Sequence, residues 1–230
     1  MKARSRRALF LASLACLLVL PSGASGQRPS HSEEFQYRWQ LRNLIGSIAG
    51  LFLPKQGEGS LTFKTDPSGR LRSELTITSG ASHEGEYFRY GSEIDTRTLQ
   101  PIRAWSSYSW RGETKSKSSP IEQDGVLDVA SGIYSIRQNP PQKPRRMEIW
   151  SDGKIYPVVV MPLGVENRRI QGGKIVAARR YSIRGIDMPG RRKWKGKLDL
   201  WLTQDAAATP VEIVISRNLA DVRMELKSLL

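Results

Sequence analysis

Histidine is the residue type to consider first for catalysis, because it accepts and returns protons near neutral pH. The chain has two, His31 in a polar stretch and His83 in a Gly-rich loop. A Ser–His–Asp triad needs a histidine held between a serine and an acid, and a zinc site needs several His or Cys ligands. No Gly-rich phosphate loop follows a strand and opens a helix. We therefore predict exposed loop histidines, no metal and no cofactor.

Carboxylates are the second set of groups that could act, because glycoside hydrolysis needs only two acids at a suitable separation. Asp199, Asp205 and Glu212 near the C-terminus are the candidates. Each also has an ordinary interpretation: Asp199 on the polar face of a strand, Asp205 at a turn, and Glu212 alternating outward. We expect no catalytic residue. A hydrolase of envelope polysaccharide or peptidoglycan that uses Asp205 with Glu212 remains the alternative.

Four clusters of basic residues form the strongest charged feature, and the last of them, RRK, is followed directly by Trp194. Arginine pairs bidentately with phosphate and carboxylate groups. Neighbouring residues of a strand point to opposite faces, so the clusters cannot all build one patch. Scattered, solvated charge is the alternative interpretation. The candidates for contact with an anion are Arg179, Arg180, Arg191, Arg192 and Lys193.

Aromatic residues on alternating positions are candidates for the wall of a ligand site. Aromatics at such positions more often belong to a core, and that alternative stays open here. The ligand-facing candidates are Tyr37, Trp39, Phe63, Tyr134 and Trp201.

The elements that would position these residues are mainly strands, because apolar and polar residues alternate along much of the chain. The DPSG sequence at 66–69 and the Asp152-Gly153 pair have the chemistry of hairpin turns. Segment 111–123 is charged and serine-rich, and indicates an exposed loop or a strand edge. Twelve segments carry strand signals, from which we expect about ten strands: 35–41, 61–64, 71–78, 86–94, 102–110, 147–150, 155–161, 164–170, 175–183, 197–203, 211–217 and 222–226.

Segment 128–138 has apolar spacing closer to a helix than to a strand, with Asp128 as N-cap and Asn139-Pro140-Pro141 at its end. Segment 43–53 is apolar without alternation, and indicates either a second short helix or a buried loop. We predict one mostly β domain over residues 35–230: a strongly curved antiparallel meander or partial barrel that clasps the 128–138 helix. A ligand would lie on the inside surface.

Residues 1–26 have the three parts of a cleavable secretory signal. Lys2, Arg4, Arg6 and Arg7 precede the apolar run 8–20, and small residues follow. The apolar run is too short for a spanning helix. The residues before Cys16 do not fit lipid attachment, so we predict cleavage after Ala24 or Gly26, export by the Sec route, and a flexible lead-in at 27–34.

Cleavage would change the composition of the protein. The only cysteine lies in the signal, so the mature chain would rely on its core rather than on disulfides. The signal also carries four basic and no acidic residues, so its loss takes the formal net charge from +14 to +10. Outside the cytoplasm this charge favours envelope polyanions, including an anionic membrane surface, over nucleic acid. Charge that only keeps the protein soluble is the alternative.

Three sequence runs resemble an exported bacterial family known as domain of unknown function 3108. They are DTRTLQP at 95–101, the segment 128–137 ending in IYSIR, and LWLTQD at 200–205 with Pro210-Val211 after it. The resemblance covers roughly residues 35–226. It implies an envelope location, a β-rich fold and no established activity. The apolar insertion at 44–53 and Gly132 depart from the family pattern.

These observations predict a non-catalytic periplasmic or secreted protein that binds an apolar or amphiphilic envelope component, or acts as a scaffold. The candidate partners are a lipid, a glycan or another envelope protein. The sequence indicates no cofactor and leaves the oligomeric state open.

Overall fold

The structure is a computed structural model that describes residues 31–42, 55–80, 85–98, 100–217 and 220–229. The proposed signal, the possible helix at 43–53 and His83 lie outside the described residues. Within them the chain forms thirteen strands and one helix. The elements are β1 (His31–Arg42), β2 (Gln56–Thr65), β3 (Arg70–Ser79), β4 (Tyr87–Asp95), β5 (Pro101–Trp110), β6 (Glu113–Pro120), β7 (Val126–Leu127), α1 (Val129–Gln138), β8 (Arg145–Ser151), β9 (Lys154–Arg169), β10 (Ile175–Gly185), β11 (Gly196–Thr203), β12 (Pro210–Arg217) and β13 (Ala220–Leu226).

All described strands belong to one sheet in the order β6-β5-β4-β3-β2-β1-β13-β12-β11-β10-β9-β8-β7. Consecutive strands pair as antiparallel neighbours from β1 to β6 and from β8 to β13, and β1 and β13 meet in the middle, where Tyr37 lies opposite Leu226. The pair β7 and β8 is parallel. A parallel pair needs a crossover connection, and α1 supplies it.

The sheet curves until its two edges approach each other. The Ser106 hydroxyl of β5 donates to Asp152 at 3.0 Å, and Lys117 of β6 donates to the Asp152 carbonyl at 3.2 Å. Trp150 of β8 packs with Ala104 of β5 in a small apolar cluster. The edges thus meet through side chains, and the inner surface encloses α1.

The core lies between α1 and the inner face of the sheet. Ile133 and Ile136 of α1 are buried against residues from both halves of the strand order. Phe63 of β2 packs on Tyr134 with ring centroids 5.2 Å apart. The inner face is apolar at alternate positions of most strands, which gives one continuous core without disulfides.

The N-terminus of α1 is held by a buried hydrogen-bond network around Asp128. Its carboxylate accepts from the backbone N–H of Ala130 at 3.0 Å and of Ser131 at 2.9 Å, and from the Ser131 hydroxyl at 2.5 Å. The Ser92 hydroxyl of β4 donates to it at 2.6 Å, and Ser73 of β3 lies 3.1 Å from Ser92. The N-cap predicted at Asp128 is confirmed, and the cap also joins the helix to the sheet.

The predicted fold class is confirmed: a mostly β, strongly curved sheet that clasps one helix at 129–138. Segment 111–123 contains β6, so its strand-edge interpretation is the right one, since β6 is an edge of the sheet.

Two boundary predictions are wrong. The strands 155–161 and 164–170 are one strand, β9, because an irregularity of register opposite Arg180 bends the strand without ending it. Residues 31–34 belong to β1 rather than to a flexible lead-in, since they pair with β2. The short β7 and the polar β6 complete the thirteen strands and lie outside the predicted ranges, because neither shows the apolar alternation of a half-buried strand.

Among the described residues, no helix has the length and apolarity needed to cross a bilayer.

Candidate functional site

A cavity of about 560 Å³ opens at the end of the curved sheet where the β10–β11 loop crosses it. We call it the loop cavity. Its volume is that of an ordinary small-molecule site. Its wall combines the inner face of β4, the start of α1, the β8–β9 turn, the loop and the strands β11 and β12. The lining residues are Tyr90, Val129, Ser151, Asp152, Tyr156, Arg192, Lys193, Trp194, Lys195, Gly196, Leu198, Ile215 and Ser216.

The rim of the loop cavity is cationic. Lys193 forms an ion pair with Asp187 at 2.7 Å. Within the part of the chain that the structure describes, the side chains of Arg192 and Lys195 have no hydrogen bond or ion pair. The one carboxylate of the wall, Asp152, accepts from Ser106. Two unpaired cations at an aromatic and aliphatic wall suit an anion attached to an apolar body.

Trp194 is fixed in the wall by two glycines. A Cβ on Gly196 would lie 2.7 Å from the Trp194 ring, and a Cβ on Gly185 would lie 2.3 Å from the Trp194 carbonyl oxygen. Only glycine permits such close approach of the backbone and the ring. The glycines at the end of β10 and the start of β11 therefore hold the loop against the sheet and turn the indole toward the cavity.

We expect Gly185→Ala to lower the free energy of unfolding by about 1–3 kcal/mol, because the new methyl group forces the Trp194 backbone to move. Urea unfolding measures this change, and a shift in the tryptophan emission would report the displaced loop. Gly164→Ala is the matched control, since nothing lies within 4 Å of its added Cβ. Equal stability of the two variants would contradict the close approach.

The basic residues predicted to contact anions separate in the structure. Arg192 and Lys193 line the loop cavity. Arg191 lies in the same loop but pairs with Glu148 at 2.8 Å. Arg180 faces away from Arg179 on β10, and its guanidinium donates to Asp199 at 2.8 Å, so it is already neutralised. Arg179 does not line the cavity.

The aromatic residues predicted to face a ligand do not line the loop cavity. Tyr37, Trp39 and Phe63 lie in the core, where alternate positions of β1 and β2 point. Tyr134 is half-buried and packs against Phe63. Trp201 points to the outer face of β11. The core interpretation therefore describes Tyr37, Trp39 and Phe63, and Trp201 is buried in the same apolar cluster. The cavity takes its aromatics from Tyr90, Tyr156 and Trp194 instead.

Trp201 is the centre of a partly exposed cluster of charges on the outer face. Arg168 lies over its ring at 4.1 Å and Arg180 at 5.0 Å from the ring centroid. Its indole N–H donates to Glu166 at 3.1 Å. Stacking of arginines on an indole stabilises cations that are partly removed from water. The ion pairs of Arg168 with Glu212 and of Arg180 with Asp199 hold this cluster together, while the Nε atoms of both arginines have no hydrogen-bond partner within the described residues.

The candidate catalytic carboxylates are held in ion pairs or in a turn. Glu212 is 2% exposed and accepts from Arg168 at 3.1 Å and Arg223 at 3.0 Å. Asp205 accepts from the Thr203 hydroxyl at 2.7 Å and the Ala208 backbone N–H at 3.2 Å within its turn. A general acid must reach a substrate oxygen. Glu212, covered between two arginines, is poorly placed for that role.

Asp199 is also held by cationic side chains, Arg180 at 2.8 Å and Lys197 at 2.6 Å. Burial favours its neutral form, but hydrogen bonds from Lys197, Ser182 and Arg180 outweigh burial and lower the pKa of this carboxyl. An acid with a lowered pKa is a poor proton donor near neutral pH. In the portion that the structure describes, no group of three or more His, Cys, Asp or Glu side chains is arranged to hold a metal ion.

Comparison with known proteins adds no established function. No family model matches the chain, and no curated protein matches it. A crystal structure of a β-barrel-like protein of the domain of unknown function DUF1849 from Brucella abortus is similar, with 9% identity, 84% of this chain and 94% of that chain covered, and a TM-score of 0.46.

Two further crystal structures are similar at lower scores. A DUF1329 family protein from Desulfovibrio piger has 9% identity, 86% and 84% coverage of the two chains, and a TM-score of 0.32. The lipoprotein LppX from Mycobacterium tuberculosis has 11% identity, 86% and 87% coverage, and a TM-score of 0.23.

Proposed function

We propose that this protein is a non-catalytic exported binding protein that holds an amphiphile with an anionic headgroup in the loop cavity. The observation that carries the proposal is the composition of the cavity wall. Aromatic and aliphatic side chains, among them Trp194 and Tyr156, form the wall, and the unpaired cations Arg192 and Lys195 stand at its rim. Such a site takes an apolar body and orients it by its charged end.

The two parts of the site contribute different terms to binding. Burial of apolar ligand surface against Leu198, Ile215 and Trp194 is non-directional and grows with the area covered. Charge-assisted hydrogen bonds from Arg192 and Lys195 to a phosphate or carboxylate would fix the orientation. A cationic amphiphile would gain only the first term and would meet repulsion at the rim.

Export is part of the proposal and rests on the sequence of residues 1–26. Membership of the exported family with domain of unknown function 3108 rests on the runs at 95–101, 128–137 and 200–205 in the same way. Intact mass of the protein recovered from its native host would test export. A mature chain that begins at Ser25 or Gln27 supports it, and an uncleaved chain in the cytoplasm contradicts it.

The binding prediction uses dodecyl phosphate, titrated by calorimetry below its micelle concentration. We expect it to bind the full mature protein, with dodecyltrimethylammonium at least about tenfold weaker. The double variant Arg192→Gln/Lys195→Gln should bind dodecyl phosphate about tenfold more weakly, since it loses both charge-assisted contacts at a partly exposed rim.

Arg38→Gln/Lys64→Gln is the matched control, because it removes the same charge from exposed positions of β1 and β2 away from the cavity. Its affinity for dodecyl phosphate should stay within about twofold of the parent protein. An equal loss in both double variants would show that net charge alone attracts the ligand. Absence of binding to the parent protein would overturn the proposed function.

A further inference from the structure

A narrow apolar space lies below the loop cavity, between α1 and the inner face of β8, β10 and β11. We call it the helix seam. It has a volume of about 20 Å³ and shares Val129, Trp194 and Leu198 with the cavity above it. The shared residues border both spaces, so the seam adjoins the cavity at Trp194.

Two residues of the seam keep it from being fully packed. Gly132 lies in the middle of α1, and a Cβ added there would meet nothing within 4 Å. Glycine in a helix interior is less stabilising than alanine. Gly132 therefore lowers the stability of α1 and leaves an unfilled space beside the helix. Met147 lines the opposite side, and its unbranched side chain can change rotamer easily.

The chemistry of the seam excludes a polar occupant. Ile133, Ile136, Ile149 and Ile183 line it beside the residues already named. The one charged side chain of its wall, Asp128, is surrounded by its own hydrogen bonds to α1 and Ser92. A sugar or a headgroup would find no free partner there, and burial of unpaired polar groups is costly.

We propose that the helix seam takes the far end of a single linear acyl chain whose anionic head lies at Arg192 and Lys195. This inference rests on the proposed function and assigns the ligand class: a single-chain amphiphile. The chain passes Trp194 and enters between α1 and the sheet, and Met147 moves to admit it. With a volume of about 20 Å³, the seam has no room for a branched or ring-bearing body.

The test compares alkyl phosphates of increasing length, from hexyl through octyl and decyl to dodecyl, by calorimetry on the full mature protein. In the parent protein we expect the affinity to rise up to about fourfold for each added methylene group. In Gly132→Leu the gain from decyl to dodecyl should be lost, because the leucine side chain fills the seam. Dodecyl phosphate should then bind about tenfold more weakly or worse, and hexyl phosphate within about twofold of the parent.

Two further variants separate blockage from damage to the fold. Gly132→Ala adds one methyl group in open space, so it should fold at least as stably as the parent and shorten the preferred chain only slightly. Gln138→Leu adds the same leucine at an exposed helix position and should leave the whole length series unchanged. Together they keep the test decisive if Gly132→Leu does not fold.

The outcomes distinguish the two proposals. A hexyl phosphate that binds in every variant, with the long-chain gain lost only at position 132, supports the seam. If short chains bind and the length series is the same in Gly132→Leu, Gly132→Ala and the parent, the seam is wrong and the loop cavity stands. If no alkyl phosphate binds the parent protein, the proposed function itself fails.

Discussion

Replacing Arg137 with methionine is expected to lower the free energy of unfolding by about 3–5 kcal/mol. The Arg137 side chain is 4% exposed and stands at the last turn of α1. It pairs with Glu33 of β1 at 2.9 Å and donates to the carbonyls of Ala207 and Ala208 at 3.0 Å each. Methionine keeps most of the volume but leaves three acceptors without their donor.

The position of Arg137 explains the size of the effect. Its guanidinium lies over the rings of Phe35 at 4.8 Å and Phe63 at 5.2 Å, so the cation is held by aromatic faces as well as by hydrogen bonds. Ala208 has a φ of 43°, in the region that favours glycine. The hydrogen bond from Arg137 to its carbonyl helps to hold this turn between β11 and β12.

Two milder variants, measured by urea unfolding, should lose less stability than the methionine variant. Arg137→Lys keeps the charge but lacks the planar fork that reaches three acceptors, so we expect a loss of about 2 kcal/mol. Glu33→Gln keeps an acceptor on a partly exposed side chain, and we expect a loss of about 1 kcal/mol or less. A methionine variant no less stable than Glu33→Gln would show that Arg137 does not join α1 to the strands.

The sequence predicts most of the fold because the strands have one solvent-exposed face and one buried face. Alternation in β1, β2 and β3 is regular, and the turn at Asp66–Gly69 has its hydrogen bonds within a few residues. The helix is also readable, since its cap and its terminating prolines are local. Such signals can be recognised in the sequence because each depends on neighbouring residues alone.

The parts of the fold that the sequence does not predict depend on distant contacts. β7 is two residues long and is a strand only because β8 pairs with it across α1. The sequence separates the strands 155–161 and 164–170, but pairing with β10 on both sides of an irregularity opposite Arg180 makes them one strand, β9. The approach of the sheet edges at Asp152 involves Ser106 and Lys117, which are far away in the sequence. No local pattern contains these pairings.

The candidate site is only partly predictable from the sequence, because it too depends on contacts between residues that are distant in the chain. The run RRKWK at 191–195, flanked by strands, marks a basic and aromatic loop, and Arg192 and Lys193 do reach the cavity. Which cations remain unpaired depends on Glu148 and Asp187, and only the fold places them. Tyr90 and Tyr156 join the wall from strands far apart in the chain. Alternation predicts which side chains face the inside of the sheet. It does not predict which end of that inner face remains an open cavity.

The buried carboxylate Asp128 provides the second large effect. Asp128→Ala should lower the free energy of unfolding by about 3 kcal/mol, because it removes a helix cap and leaves buried donors unsatisfied. The donors are the backbone N–H groups of Ala130 and Ser131 and the hydroxyls of Ser92 and Ser131. The hydroxyls can partly turn to other acceptors, which keeps the loss below the sum of the separate bonds.

Asp128→Asn isolates the charge of this group. Asparagine is as good an N-cap as aspartate, but its amide nitrogen cannot accept from Ala130, so we expect a loss of about 1 kcal/mol near neutral pH. Burial is the largest influence on Asp128 and raises the pKa of the carboxyl above its ordinary value of 3.8, although the hydrogen bonds from Ser131 and Ser92 oppose the shift.

Because the pKa of Asp128 is raised, the difference in free energy of unfolding between the parent protein and Asp128→Asn depends on pH. Above pH 3.8 the unfolded chain loses the proton that the folded protein still binds at Asp128, so the stability from this group falls as pH rises through the folded pKa. The advantage of the parent protein over Asp128→Asn should therefore be largest near pH 4 and shrink toward neutral pH. Urea unfolding gives the free energy of unfolding of both proteins at each pH. The contributions of the other titrating groups cancel in the difference, because these groups are common to the two chains. A constant difference across this range would show that burial does not perturb Asp128, and a difference that grows with pH would reverse the sign argued from its surroundings.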